Sequence, residues 1–253
     1  MQRLSILSWT VLLLTWCLAS QVKSQLARDV VIASISVDRV HNTAIVSFTN
    51  NGLADITGFA VTLTMQRPSG IDGSVPNVID FLPGIAGSTV YPEMEGTRGL
   101  PPGASYKTTM PVPAEASSVD IRADVLAVTF MDRSALGEPE AIERILDGRR
   151  AESTGICSAA DSVDQVVSSN GVMAALRETG RQLKTGAVAR LAPAGRDREL
   201  AQSFHEDVAA KLTHLANGDV PAAEVPKALR QYATYLRTRC SLTLEHSKKG
   251  DGK

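Results

Sequence analysis

Between Asp29 and Phe130 apolar and polar residues alternate in short runs, whereas beyond Pro139 apolar residues recur at intervals of three and four. The first pattern has the period of half-buried strands and the second that of amphipathic helices, so the chain divides into a β half and an α half. Val31, Ala33, Ile35 and Val37 predict a first strand with one apolar face, and Ala44, Val46 and Phe48 do the same for Thr43 to Thr49. Asn50-Asn51-Gly52 then supplies residues that tolerate positive φ at a tight connection. A third strand spans about Ile56 to Met65, with Phe59, Val61, Leu63 and Met65 on one side. Arg67 to Pro76, rich in Gly, Pro, Ser and Asp, reads as a loop before a short strand at Val78 to Leu82. A long loop follows, Pro83 to Pro102, and then strands at Ala104 to Pro111 and Val119 to Phe130. The last turns apolar on both faces beyond Asp124, so its end should be buried on two sides.

Ser134 or Gly137 precedes Glu138-Pro139-Glu140, where proline suits the first helical turn and acids suit the positive helix pole. Ala141, Ile142, Ile145 and Leu146 form one stripe, predicted to fold back onto the sheet or a neighbouring helix. Gly148 should end this helix, and the polar run Arg149 to Gly155 reads as a linker. The expected organisation is a β domain over 25–150, a linker at 151–155, a helical domain over 156–246 and a disordered tail over 247–253. Strands without intervening helices indicate an antiparallel β-sandwich, and the whole is α+β with a C-terminal antiparallel helical bundle. Helical periodicity covers Ile156 to Lys184 with a break at Asn170-Gly171, then Asp197 to Asn217 through Leu200, Phe204, Val208, Leu212 and Leu215. Gly186 to Gly195 reads as a loop. Asn217-Gly218 closes the third helix and Asp219 can cap a fourth, which carries Leu229, Tyr232, Leu236 and Cys240, with Pro226 in its first turn.

Arg3 followed by the largely apolar run Ile6 to Ala19 and a polar exit reads as a secretory signal over residues 1–24. Cleavage after Ser24 fits the small-residue rule, cleavage after Ala19 or Ser20 is an alternative, and an uncleaved membrane anchor is the rival reading. The protein is thus expected to be extracytoplasmic, periplasmic or secreted. Of three cysteines, Cys17 lies in the signal; the other two, Cys157 and Cys240, suggest a disulfide in an oxidising compartment, against the alternative of two buried thiols. One unbroken helix from Ile156 to Lys184 in a three-helix bundle would put the cysteines at opposite ends, tens of ångströms apart at about 1.5 Å per residue. A disulfide allows only about 6 Å between Cα atoms. A turn at Asn170-Gly171 makes four antiparallel helices and brings the cysteines to one end, so the break and the bond are predicted together.

The runs AIVSFTNNGLADITGFAVTLTM, LPPGASYKTTMPVPA and SVDIRADV resemble the immunoglobulin-like sandwiches of exported bacterial proteins, in particular the cell-adhesion-related bacterial domain, over about Asp29 to Asp132. The resemblance implies adhesion, ligand presentation or spacing, and it brings no catalytic residues.

Charge and candidate chemistry alter little. The chain has 26 basic and 27 acidic side chains, divided as 7 and 11 over Gln25 to Arg133 and 17 and 16 from Ser134 onward. No polyanion partner is implied, and no nucleic acid. His205-Glu206 invites comparison with a zinc-protease helix, but the residue four past His205 is Ala209 and His214 lies off that face, so these histidines are expected at the surface. Asp132, Glu138 and Glu140 could hold calcium, though helix capping explains them better. Arg177, Arg181 and Lys184 share a helix face that reads as solvated. No cofactor or metal is implied. The long loop offers a candidate binding tip at Tyr91, Glu93 and Arg98. The expectation is a non-enzymatic exported protein that takes a protein partner or an envelope polymer, with membrane contact only through an uncleaved N-terminus. The alternative is an enzyme or accessory subunit using Asp132, Arg133, Glu138 or Arg149.

Overall fold

The computed structural model describes residues 30–38, 40–67, 70–83, 99–112, 120–185, 196–218 and 220–248. Seven strands precede four helices: β1 (Val30–Asp38), β2 (Thr43–Asn50), β3 (Ile56–Arg67), β4 (Gly70–Asp80), β5 (Ser105–Pro111), β6 (Asp120–Phe130), β7 (Ala135–Gly137), α1 (Pro139–Val167), α2 (Val172–Lys184), α3 (Arg196–Asn217) and α4 (Val225–His246). The chain is therefore α+β, with its strands N-terminal and its helices C-terminal. It divides into two compact units at Ile145/Leu146, with Phe81 to Pro83 in the second. Among the described residues no helix is long and apolar enough to cross a membrane. The signal segment, the candidate tip Tyr91, Glu93 and Arg98, the loop 186–195 and the capping residue Asp219 lie outside the described residues.

The first unit holds two antiparallel sheets, ordered β1-β2-β5 and β4-β3-β6-β7. Alternation along β2 turns Ala44, Val46 and Phe48 inward, and Phe59, Val61 and Leu63 of β3 are likewise fully buried. The rings of Phe48 and Phe59 lie 4.6 Å apart between centroids, and Tyr106 meets Phe59 edge-on at 6.5 Å, so aromatic packing joins the two sheets.

Several sequence expectations need correction. In β1 the register shifts between Ile32 and Ser34, so Val30 and Ile32 stand opposite Asn50 and Phe48, while Ile35 and Val37 stand opposite Val46 and Ala44. Ala33 is the extra residue of a bulge, so the pairing of this strand is not the unbroken alternation expected. Gly70 to Pro76 is strand, not loop: β4 pairs with β3 from Arg67 opposite Gly70 to Gly58 opposite Asp80. Glycine and proline are tolerated there because β4 is an edge strand with one neighbour. Ala135 to Gly137, expected to lead into the helix, instead pair with β6. Gly137 has φ +130°, and a Cβ on it would stand 2.2 Å from the Leu126 carbonyl oxygen.

The end of β6 is buried on both sides, as its double apolar pattern predicts. Ala127, Val128, Thr129 and Phe130 are all buried, and on the outer face Ala60 and Ala127 pack with Ala141 and Ile145 of α1. The paired alanines let the helix approach the sheet closely. This helix does not end at Gly148. The expected linker, Arg149 to Gly155, is an uninterrupted part of α1. Its buried face consists of Ala151, Ser153, Gly155 and Arg149, small or charged residues that produce no apolar stripe.

In the second unit the chain turns between Val167 and Val172, at the expected Asn170-Gly171 break. The four helices share a core in which Ala159, Val163 and Val166 of α1 meet Leu176 and Leu183, Val208 and Leu212, and Leu229 and Leu236. Gly155 permits the closest approach, since a Cβ there would lie 3.0 Å from the Ala201 Cα. Pro226 sits in the first turn of α4, as expected. Ser247, expected to open a disordered tail, is buried.

One buried side chain ties the turns of the first unit together. Asn50 donates through Nδ2 to the carbonyls of Ala54 at 2.9 Å and Leu100 at 2.6 Å, and its Oδ1 accepts the Gly52 N–H at 2.9 Å. Its backbone bonds Ala104 and Gly103. Asn50→Ala strips these groups of partners inside the fold, and the expected loss is about 2 to 3 kcal/mol of unfolding free energy. Urea denaturation measures it, and a loss below about 1 kcal/mol would show that the turns hold without this residue.

Candidate functional site

Several ion pairs and side-chain hydrogen bonds of the second unit lie along one seam, between α1 and α4. Cys157 and Cys240 form a disulfide, with Sγ atoms 2.03 Å and Cα atoms 5.0 Å apart across 83 positions of sequence. Arg149 and Arg150 donate through Nη1 to the carbonyls of His246 and Ser247, each at 3.3 Å, which satisfies acceptors that the end of α4 leaves open. Glu152 pairs with Arg239, and Arg237 pairs with Asp164 at 2.5 Å. Contacts made by residues 149, 152, 157 and 164 of α1 with 246, 239, 240 and 237 of α4 require the two helices to run antiparallel.

Arg239 is the centre of the seam. Its Nη1 donates to the Tyr235 hydroxyl at 3.0 Å, and its guanidinium lies 4.8 Å from the centroid of the Phe204 ring. Burial works against its charge, but Glu152 and then Tyr235 outweigh that penalty and hold its pKa above the ordinary value. The flat guanidinium fits this place because it binds a carboxylate and stacks on a ring at once.

His205 is 1% exposed, which corrects its assignment to the surface; Glu206 and His214 are exposed, as expected. Its Nε2 faces the Gly155 carbonyl at 3.1 Å and the Ser158 Oγ at 2.8 Å. A carbonyl only accepts, so Nε2 carries the proton. The Ser158 hydroxyl donates to the Gly155 carbonyl at 2.9 Å and accepts from the imidazole. This is the reverse of a nucleophile pair, in which the histidine must accept the serine proton. Nδ1 is buried and has no partner among the described residues. Burial pushes the His205 pKa below its usual 6.5, with the Gly155 bond opposing. The sequence carried a signal for this: His205 lies on the same stripe as the buried Ala201, Val208, Ala209 and Leu212.

Of the residues of the alternative enzyme reading, Asp132, Arg133 and Glu138 lie in the first unit and Arg149 in the second. Asp132 Oδ1 accepts from the Ser134 hydroxyl at 2.6 Å and backbone N–H at 2.9 Å, and the Ser134 bonds lower its pKa. Arg133 occupies the left-handed region at φ +69° and is exposed. Glu138 donates its backbone N–H to Leu126, while Glu140 stands in the first turn of α1. Arg149 belongs to the second unit, where it binds the end of α4. On the basic face of α2, Arg181 is bonded to Glu178, whose pKa its guanidinium lowers to about 2, and Arg177 and Lys184 are exposed. Lys184, Glu206, Ala209, Ala210, Thr213, His214 and Asn217 line an open groove of about 520 Å³. Among the described residues no group of three or more His, Cys, Asp or Glu is placed to hold a metal ion. No family of proteins, curated protein or solved structure matches the chain.

Because burial lowers the His205 pKa in the fold, its contribution to stability is complete above the ordinary value of 6.5 and is lost as pH falls below it, where the unfolded chain takes up the proton first. His205→Gln should flatten this part of the acid dependence, read as guanidinium midpoints from about pH 7.5 to 5. Equal slopes for variant and wild type would contradict it. Replacing both Cys157 and Cys240 by alanine should cost about 4 kcal/mol through the large closed loop. Thiol titration of the denatured, unreduced chain from residue 25 onward should find no free thiol; finding two would overturn the bond.

Proposed function

We propose that the chain is an exported, non-enzymatic binding or structural protein. In this reading the first unit is an immunoglobulin-like sandwich that binds or spaces, and the second is a helical bundle that docks a protein partner. The strand order carries the reading. With the strands lettered in immunoglobulin fashion, β1-β2-β5 follows A-B-E and β4-β3-β6-β7 follows C′-C-F-G. The aromatic contact between Phe48 and Phe59 supports the facing of the two sheets. Export draws support from the apolar N-terminal segment and from the disulfide, which persists in oxidising compartments. The Gly155 carbonyl, which only accepts, lies 3.1 Å from Nε2 of the buried His205 and favours a donor role for that nitrogen over that of a base, which weighs against hydrolytic chemistry there.

The test is affinity capture from envelope extracts with the disulfide intact, together with co-sedimentation on envelope polymers. A reproducible protein partner or a sedimenting polymer is the expected outcome. Absence of both, with the protein folded and oxidised, would remove the binding role.

A further inference from the structure

Three Asn-Gly pairs punctuate the chain, at 51–52, 170–171 and 217–218, and the fold treats them differently. From that difference we infer that Asn170-Gly171 is a site of spontaneous covalent modification, deamidation through a cyclic imide. The reaction needs the backbone nitrogen of the glycine to reach the asparagine Cγ. It therefore needs an unbound glycine N–H, room around the residue pair and a backbone free to rotate.

Asn170 and Gly171 meet these conditions. Both are exposed in the connection between α1 and α2. Gly171 has φ −124° and ψ 61°, outside the helical region, and nothing lies within 4 Å of where its Cβ would stand. Among the described residues neither the Asn170 side chain nor the Gly171 N–H has a hydrogen-bond partner. At the first pair, Gly52 N–H is bound to Asn50 Oδ1 at 2.9 Å, and the turn is fixed by the Asn50 bond to Ala54. At the third, Asn217 is part of α3, whose last turn must unwind before the nitrogen of residue 218 can approach its side chain.

The steps balance without an external oxidant or reductant. The Gly171 nitrogen loses its proton and attacks Cγ of Asn170; the new C–N bond closes a succinimide, and the side-chain amide leaves as ammonia. Water then opens the ring at either carbonyl, giving aspartate or isoaspartate. Deprotonation of the nitrogen makes the reaction faster as pH rises. The product places a carboxylate one residue before the N-cap of α2. That helix has no acid in its first turn and no side-chain cap, so its positive pole is otherwise uncompensated. The isoaspartate form also adds a methylene to the backbone between α1 and α2.

The experiment is incubation of the folded, oxidised protein at mildly alkaline pH, followed by peptide mapping with mass detection and isoaspartate assay. The peptide containing Asn170 should convert at least about tenfold faster than those containing Asn51 and Asn217, a ratio that urea should erase. Asn170→Gln, at an exposed position, should abolish the fast phase and leave the far-UV spectrum unchanged. Conversion at Asn51 or Asn217 as fast as at Asn170 in the folded protein would overturn the inference, as would an Asn170 peptide that converts no faster than either.

Discussion

The bond between Cys157 and Cys240 constrains the second unit more than any other contact. It joins α1 to α4 and so encloses all of α2 and α3 within one covalent loop. Closing so long a loop removes many of the unfolded chain's conformations before any packing term is counted. Inside that loop the core mixes Ala159, Ala160, Ala209, Ala216 and Ala233 with leucines, valines and tyrosines. Charge pairs and carbonyl contacts run along the same two helices on either side of the bond. Covalent, ionic and helix-end interactions therefore reinforce a single seam, while the other helix pairs rely mainly on apolar packing.

The polar groups inside this unit bind other helices or helix ends. Arg149 spends its guanidinium on helix-end carbonyls, Arg239 on Glu152, Tyr235 and a ring face, and His205 on the Gly155 carbonyl and Ser158. Each interaction spans two helices or closes one helix end. Buried groups of this kind are costly if a partner is lost, so they favour one arrangement of the helices over near alternatives.

Much of the fold was legible in the sequence because its signals were local. Alternation marked β2 and β3, the double apolar run marked the buried end of β6, and Asn170-Gly171 marked the turn that the disulfide needs. What escaped depended on partners distant in sequence. The glycines and Pro76 of β4 resemble a loop until β3 is known to stand on one side only. Arg149 to Gly155 resembles a linker until Ala201 and the end of α4 are seen to need small residues and a cation there. His205 escapes a reading by metal-ligand spacing, which needs a second histidine, although it lies on the buried stripe of α3 with Ala201, Val208 and Leu212. Function was the least legible part, since a pattern of strands and turns describes a frame that many activities share.

The two sheets have four outer strands, and each carries a different obstacle to pairing with a foreign strand. β1 has the bulge at Ala33; β4 has Pro76, which offers no N–H; β5 exposes Lys107 and ends at Pro111; β7 is three residues long. Open edges of this kind are where sheets otherwise grow by recruiting chains from solution. Each described edge thus carries a feature that works against such growth.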